Sequence, residues 1–174
     1  MRTFILLCLL ITSAFATFAQ QPDVEKRLID LGLQLPPNQK PLANYVKAVR
    51  SGNLVFLSGQ GPASMDGKLI AGKVGRDLTI EQGYDAARLT GLSLLSSLKE
   101  EIGDLNKVKR IVKVLGMVNC PENFTEHPKV INGFSDLMVA VFGEKGKHAR
   151  SAVGMNSLPF NIPVEIEMVV EVEN

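Results

Sequence analysis

Tryptophan is absent from this chain of 174 residues, and tyrosine, histidine and cysteine occur only twice each. Two cysteines cannot staple a small secreted scaffold. The two isolated histidines, His127 and His148, have no cysteine or carboxylate partners at ligand spacing, so no metal motif is present and no cofactor is expected. A surplus of one charge is also missing, since 19 basic residues face 18 acidic ones for a formal net charge of +1. That balance carries no electrostatic footprint for a nucleic-acid backbone, and the one basic stretch, Lys107 to Lys113, is short. After the first twenty residues no apolar run approaches bilayer-spanning length, which excludes a multi-pass membrane protein. What is present is 45% hydrophobic and 21% charged residues, the mix of a globular domain rather than of a disordered or collagen-like chain. The length suits a single domain that buries its own core.

The first segment reads as an address. Met1-Arg2-Thr3 supplies one positive charge, Phe4 to Ile11 is an unbroken apolar run, and small residues lead to Ala19. This order predicts a signal peptide over residues 1–19, cleaved after Ala19, and hence a periplasmic or secreted protein with no membrane attachment once cleaved. Losing Arg2 leaves basic and acidic residues equal in number. A lipid-anchored reading of Cys8 is disfavoured, because Leu7 stands where a small residue is needed. Cys120 is then without a disulfide partner in the chain. Its setting, Asn119-Cys120-Pro121, announces no base or electropositive environment, so it reads as a small buried hydrophobe.

Residues 20–40 carry a short helical pattern (Val24, Leu28, Ile29, Leu31, Leu33) closed by Pro36-Pro37, which predicts an N-terminal helix and linker before a domain over 41–174. Tyr45 to Arg50 and Leu54 to Ser58, joined at Ser51-Gly52-Asn53, predict a hairpin. A short third strand is expected around Leu69 to Ala71. Ile80, Tyr84, Ala87, Gly91, Leu94, Leu98 and Ile102 recur at helical spacing after Thr79, and Gly103 ends the pattern. Val108 to Val118 reads as a strand, the stretch after Pro128 as a helix stopped by Gly143, and Arg150 to Leu158 and Val164 to Glu173 as closing strands. The order predicts an α+β two-layer sandwich, a mixed β-sheet with two helices on one face. The other sheet face needs a partner, so self-association is expected.

Familiar catalytic motifs are missing. Ser58-Gly59-Gln60-Gly61 lacks the strand-to-helix elbow of a serine nucleophile, and the glycines match no phosphate loop. One charge pattern remains, Arg150 opening an apolar strand and Glu165 inside another, where an ion on the core side is expensive without a partner or ligand. Alternation puts Glu165, Glu167, Glu171 and Glu173 on one strand face. A solvated stripe with a surface arginine accounts for the same pattern.

Tyr45-Val46-Lys47-Ala48, Gly52 through Pro62 with its Ser58-Gly59-Gln60, Ala149 through Val153, and Leu158-Pro159 through Glu167 resemble the RidA/YjgF family of reactive-intermediate deaminases over roughly Leu35 to Glu173. The resemblance implies a chorismate-mutase-like fold and a homotrimer with clefts between subunits. It implies that Arg150 binds a substrate carboxylate and Glu165 positions water. Tyr45 would wall the cleft, and Ser58, Gly59 and Asn132 would complete the substrate site. Two departures stand out: the position two after the arginine, commonly cysteine, is Ala152, which serves if its backbone N–H is what is used, and the segment Asn119 to His127 is longer than usual.

The implied reaction is hydrolysis of 2-imino or enamino acids, such as 2-aminoacrylate in its imine form, to 2-oxo acids and ammonia. Guanidinium groups do not act as bases near neutral pH, so Arg150 suits bidentate carboxylate capture, while a glutamate can exchange protons with water and the leaving nitrogen. The implied partners are a small 2-imino or 2-oxo acid and two further copies of the chain, with no nucleic acid. A non-catalytic small-carboxylate-binding trimer stays open. An endoribonuclease, an activity attached to relatives, is opposed by the charge balance.

Overall fold

The computed structural model describes residues 23–38, 41, 43–64 and 68–173. The expected signal segment, with Cys8, lies outside the described residues. Asp23 caps helix α1 (Val24–Asp30), its carboxylate accepting from the backbone N–H groups of Glu25 and Lys26. Val24 and Leu28 are the residues that α1 buries.

Strands β1 (Ala48–Ser51) and β2 (Leu54–Gln60) form the expected antiparallel hairpin, although β1 begins at Ala48 and leaves Tyr45 to Lys47 outside it. Gly52 turns it with φ of +61°, a left-handed conformation that costs glycine nothing. Helix α2 (Ile80–Ile102) opens with a capping box, in which Thr79 Oγ accepts from Gln82 N–H and the Gln82 side chain accepts from Thr79 N–H. Then follow β3 (Val108–Asn119), α3 (His127–Phe142), β4 (Ala149–Met155) and β5 (Val164–Val172).

The sheet order is β1-β2-β5-β3-β4. The β3–β4 pair is parallel because α3 carries the chain back between them, whereas the other pairs are antiparallel. Helices α2 and α3 pack on each other and on one sheet face. Leu94, Leu98, Ile131, Phe134 and Met138 from the helices meet Val55, Ile111, Val114, Ile166 and Val170 from the strands, all buried. The close helix pairing needs Gly133, where a methyl group would overlap the Tyr84 carbonyl. The α+β sandwich expected from the sequence is the fold observed.

Two expectations need correction. No strand forms around Leu69 to Ala71, where Leu69 is 64% exposed and has no neighbouring strand. Instead, that stretch is tied down by Gly72 N–H on the Asn161 carbonyl and Val74 N–H on the Asn119 carbonyl, each at 2.8 Å. The strand expected to reach Leu158 stops at Met155, before a 3₁₀ turn in which Phe160 and Asn161 both take positive φ.

The second sheet face is open. Val49 (53% exposed) pairs across the hairpin with Phe56 (46% exposed), and Phe56 lies opposite Val169 on β5. Together they form an apolar strip across three strands, the kind of surface that a monomer seldom leaves wet.

Candidate functional site

Arg150 lies beside Val114 in the β3–β4 register. Val114 points into the core, so Arg150 points to the helix face of the sheet, at its β4 edge. There its Nη1 donates to Asn132 Oδ1 at 3.0 Å and to Ser135 Oγ at 2.9 Å, both on α3. Asn132 and Ser135 are three apart and so share one side of the helix. No carboxylate pairs with Arg150 among the described residues. Ala152, two residues on, faces the same way and packs partly against the core.

Glu165 occupies the opposite face. Its neighbours Val164 and Ile166 are buried under the helices, so alternation turns its carboxylate to the other side. It presses against Gly59, where a methyl group would overlap Glu165 Oε1. A β-bulge between Leu57 and Gln60 sets this contact by inserting an extra residue in β2 opposite β5. Burial, reinforced by the neighbouring Glu167 charge, raises the Glu165 carboxyl above its ordinary range. The carboxylate borders a cavity of about 300 Å³, which Tyr45, Lys47, Gly59, Ser93, Ser96 and the proline arm at Pro36 and Pro37 also line.

Tyr45 is 53% exposed at the rim of that cavity. Ser58 donates its hydroxyl to the Val46 carbonyl at 2.6 Å, while Gln60 reaches Ser97 on α2. One group of expected residues, Tyr45, Ser58, Gly59 and Glu165, therefore gathers around β2 and β5. Another, Asn132, Arg150 and Ala152, gathers at the β4 edge. Within the chain the two groups lie at different places on the sheet, around β2 and β5 and at the β4 edge.

Residues 25–172 match the family described as "YjgF/chorismate mutase-like, putative endoribonuclease". The chain belongs to the YjgF/RidA family. Protein TCP17 of Trypanosoma cruzi is 43% identical over 152 residues, which is 87% of this chain and 95% of that protein. The 2-iminobutanoate/2-iminopropanoate deaminase of Dermatophagoides farinae is 28% identical, spanning 81% of this chain and 95% of its own. The crystal structure of Atu1372 from Agrobacterium tumefaciens, 45% identical, matches with a TM-score of 0.79 over 86% of this chain and 94% of that one.

For this YjgF/RidA chain, three neighbours of the site escaped sequence reasoning. Ser135 was foreshadowed only by its helical spacing from Asn132, and His148 by standing two residues before Arg150. Lys47 lines the Glu165 cavity, donates to Asn38 Oδ1 at 2.8 Å, and has its ammonium pKa lowered by burial against an opposing pull from Glu100. The segment Asn119 to His127 packs against Gly75 and against Gly154 on β4. Phe124 covers Gly75, and His127 Nε2 lies 3.4 Å from the Cys120 sulfur beside Gly154. Cys120 is buried, and burial raises its thiol pKa, so it is not an activated nucleophile.

Proposed function

We propose that the protein hydrolyses 2-imino acids, the class containing 2-iminopropanoate and 2-iminobutanoate, to 2-oxo acids and ammonia. The site is a cleft between two copies of the chain in a homotrimer. One protomer presents Arg150, Asn132 and the Ala152 backbone, and its neighbour presents Glu165, Gly59, Ser58 and Tyr45. The observation that carries this reading is the guanidinium held at Nη1 without a carboxylate partner among the described residues, paired with a half-buried carboxylate of raised pKa that points from the opposite side of its strand. The two halves complete each other when the β4 edge of one subunit meets the Glu165 cavity of another. The deaminase named among the relatives supports the substrate class.

The chemistry follows from the two groups. Arg150 takes the substrate carboxylate through a planar, paired hydrogen bond. The imine binds in its protonated form, so its nitrogen already carries one added proton. The Glu165 carboxylate accepts a proton from water as the water oxygen bonds to the imine carbon. Glu165 then returns the water proton to the amino nitrogen, the C–N bond breaks as ammonia leaves, and the hydroxyl proton passes back to the Glu165 carboxylate as the C=O bond forms. A carboxyl shifted upward is suited to this exchange, because it holds a proton more readily than an exposed glutamate.

Ammonia release from enzymatically generated 2-iminobutanoate tests the reading. Arg150→Ala and Glu165→Gln are expected to abolish the acceleration, and full activity in either refutes the assignment. Binding of 2-oxobutanoate with no turnover of any imino acid would leave a carboxylate-binding trimer in its place. Export is part of the proposal, and a mature N-terminus at Gln20 in the secreted or periplasmic protein would establish it.

A further inference from the structure

His148 has no role in the reading above, yet it stands on the loop entering β4, two residues before Arg150. Its Nδ1 lies 2.6 Å from the Gly146 carbonyl oxygen and its Nε2 lies 3.1 Å from Ser135 Oγ. A carbonyl only accepts, so Nδ1 carries the proton and Nε2 of the neutral ring accepts. The Ser135 hydroxyl therefore donates to His148 Nε2, and its oxygen accepts from Arg150 Nη1 at 2.9 Å. Each link in this chain of groups has one direction. Phe134 packs edge-on against the imidazole with ring centroids 5.8 Å apart and holds its plane. Burial foremost, and the Arg150 charge as well, pull the His148 pKa below the ordinary histidine range, against the Gly146 hydrogen bond. Among the described residues Arg150 is the charged group acting on the ring, and its contacts Phe134 and Ser135 on α3 and Gly146 in the turn after it are neutral.

We propose that His148, acting through the Ser135 hydroxyl, is a positioning residue that orients the Arg150 guanidinium for a substrate carboxylate. This rests on the reading of Arg150 as the carboxylate-binding group. Arginine on an edge strand has many rotamers, and holding Nη1 between Asn132 and Ser135 leaves the edge formed by Nε and Nη2 as the fork for the ligand. The arrangement also links binding to protonation. A bound carboxylate neutralises the guanidinium, relieves its repulsion of a protonated imidazole, and raises the His148 pKa. By reciprocity, protonation of His148 favours carboxylate capture.

The test is an NMR titration of the histidine ring nitrogens in the full chain, with His127→Gln used to assign the two signals. It is run without ligand and with saturating 2-oxobutanoate. The expected result is an Nδ1-protonated ring at neutral pH, with a midpoint that rises both on adding 2-oxobutanoate and in Arg150→Gln. Kinetically, Ser135→Ala is expected to raise KM for 2-iminobutanoate about fivefold with kcat changed less than about twofold, and Ser135→Thr, which keeps the hydroxyl, to restore KM. An Nε2-protonated ring, a midpoint that does not move in Arg150→Gln, or an unchanged KM in Ser135→Ala overturns the relay while an inactive Arg150→Ala leaves the site reading intact. Failure of the site reading itself looks different. Arg150→Ala is then fully active and 2-oxobutanoate moves no histidine signal, an outcome that overturns this proposal too.

Discussion

The two faces of the sheet prepare their ionisable groups by opposite means. At the β4 edge Arg150 is prepared by hydrogen bonds, two acceptors on α3 fixing one nitrogen of its fork. On β5 Glu165 is prepared by desolvation, lying against Gly59 at the margin of a cavity that α2 also lines. Hydrogen bonds fix direction and suit a group that must grip a planar anion. Desolvation shifts proton affinity and suits a group that must take up and return a proton. The two kinds of preparation correspond to the two proposed tasks.

The largest effect should come from removing either half. Arg150→Ala and Glu165→Gln are each expected to lower kcat/KM for 2-iminobutanoate at least about a hundredfold. Co-refolding the two inactive variants should restore about a quarter of wild-type activity, since random mixing unites an intact Arg150 half with an intact Glu165 half in that share of clefts. No recovery in mixed oligomers would mean that both groups act from one protomer, contrary to the comparison. Next in size, Phe56→Glu places a charge in the apolar strip. Light scattering should show a smaller assembly, and activity should fall with it; an unchanged mass would remove this face from the interface.

A more local change sharpens the Glu165 side alone. Gly59→Ala should displace the carboxylate and lower kcat about tenfold, with a destabilisation of about 1–3 kcal/mol as β2 and β5 adjust. The smallest effect is on stability against pH. Because the folded-state pKa of Glu165 is raised, its ionised form costs stability above that pKa, and the cost fades as pH falls toward the ordinary glutamate range. Glu165→Gln should therefore raise Tm by about 1–3 °C at neutral pH, with the gain vanishing in acid. A gain that grows on acidification contradicts the sign.

Much of the architecture was readable from local signals. Thr79 with Gln82, the apolar stripe through Leu94 and Leu98, and Gly103 and Gly143 at helix ends act within a few residues of themselves, so the helices α2 and α3 stand where they were predicted. The expected strand at Leu69 failed because a strand exists by pairing, and the backbone after it bonds singly to the Asn161 and Asn119 carbonyls instead of forming a ladder. Asn132 and Arg150 could be proposed from the resemblance, but the Ser135 and His148 links to Arg150 depend on how α3 lies over β4. Helical spacing hints at the first and strand alternation at the second, and neither says that they meet.

Composition, apolar periodicity and capping residues were sufficient to determine one α+β layer of strands under two long helices, because those choices depend on near neighbours in the chain. The sides taken by Arg150 and Glu165 were decided by tertiary structure. Alternation sets the parity within each strand, but only the parallel pairing of β4 with β3 and the antiparallel pairing of β5 assign that parity to a face. The bulge that lays a carboxylate on Gly59 is likewise a property of two strands in register, absent from either strand alone.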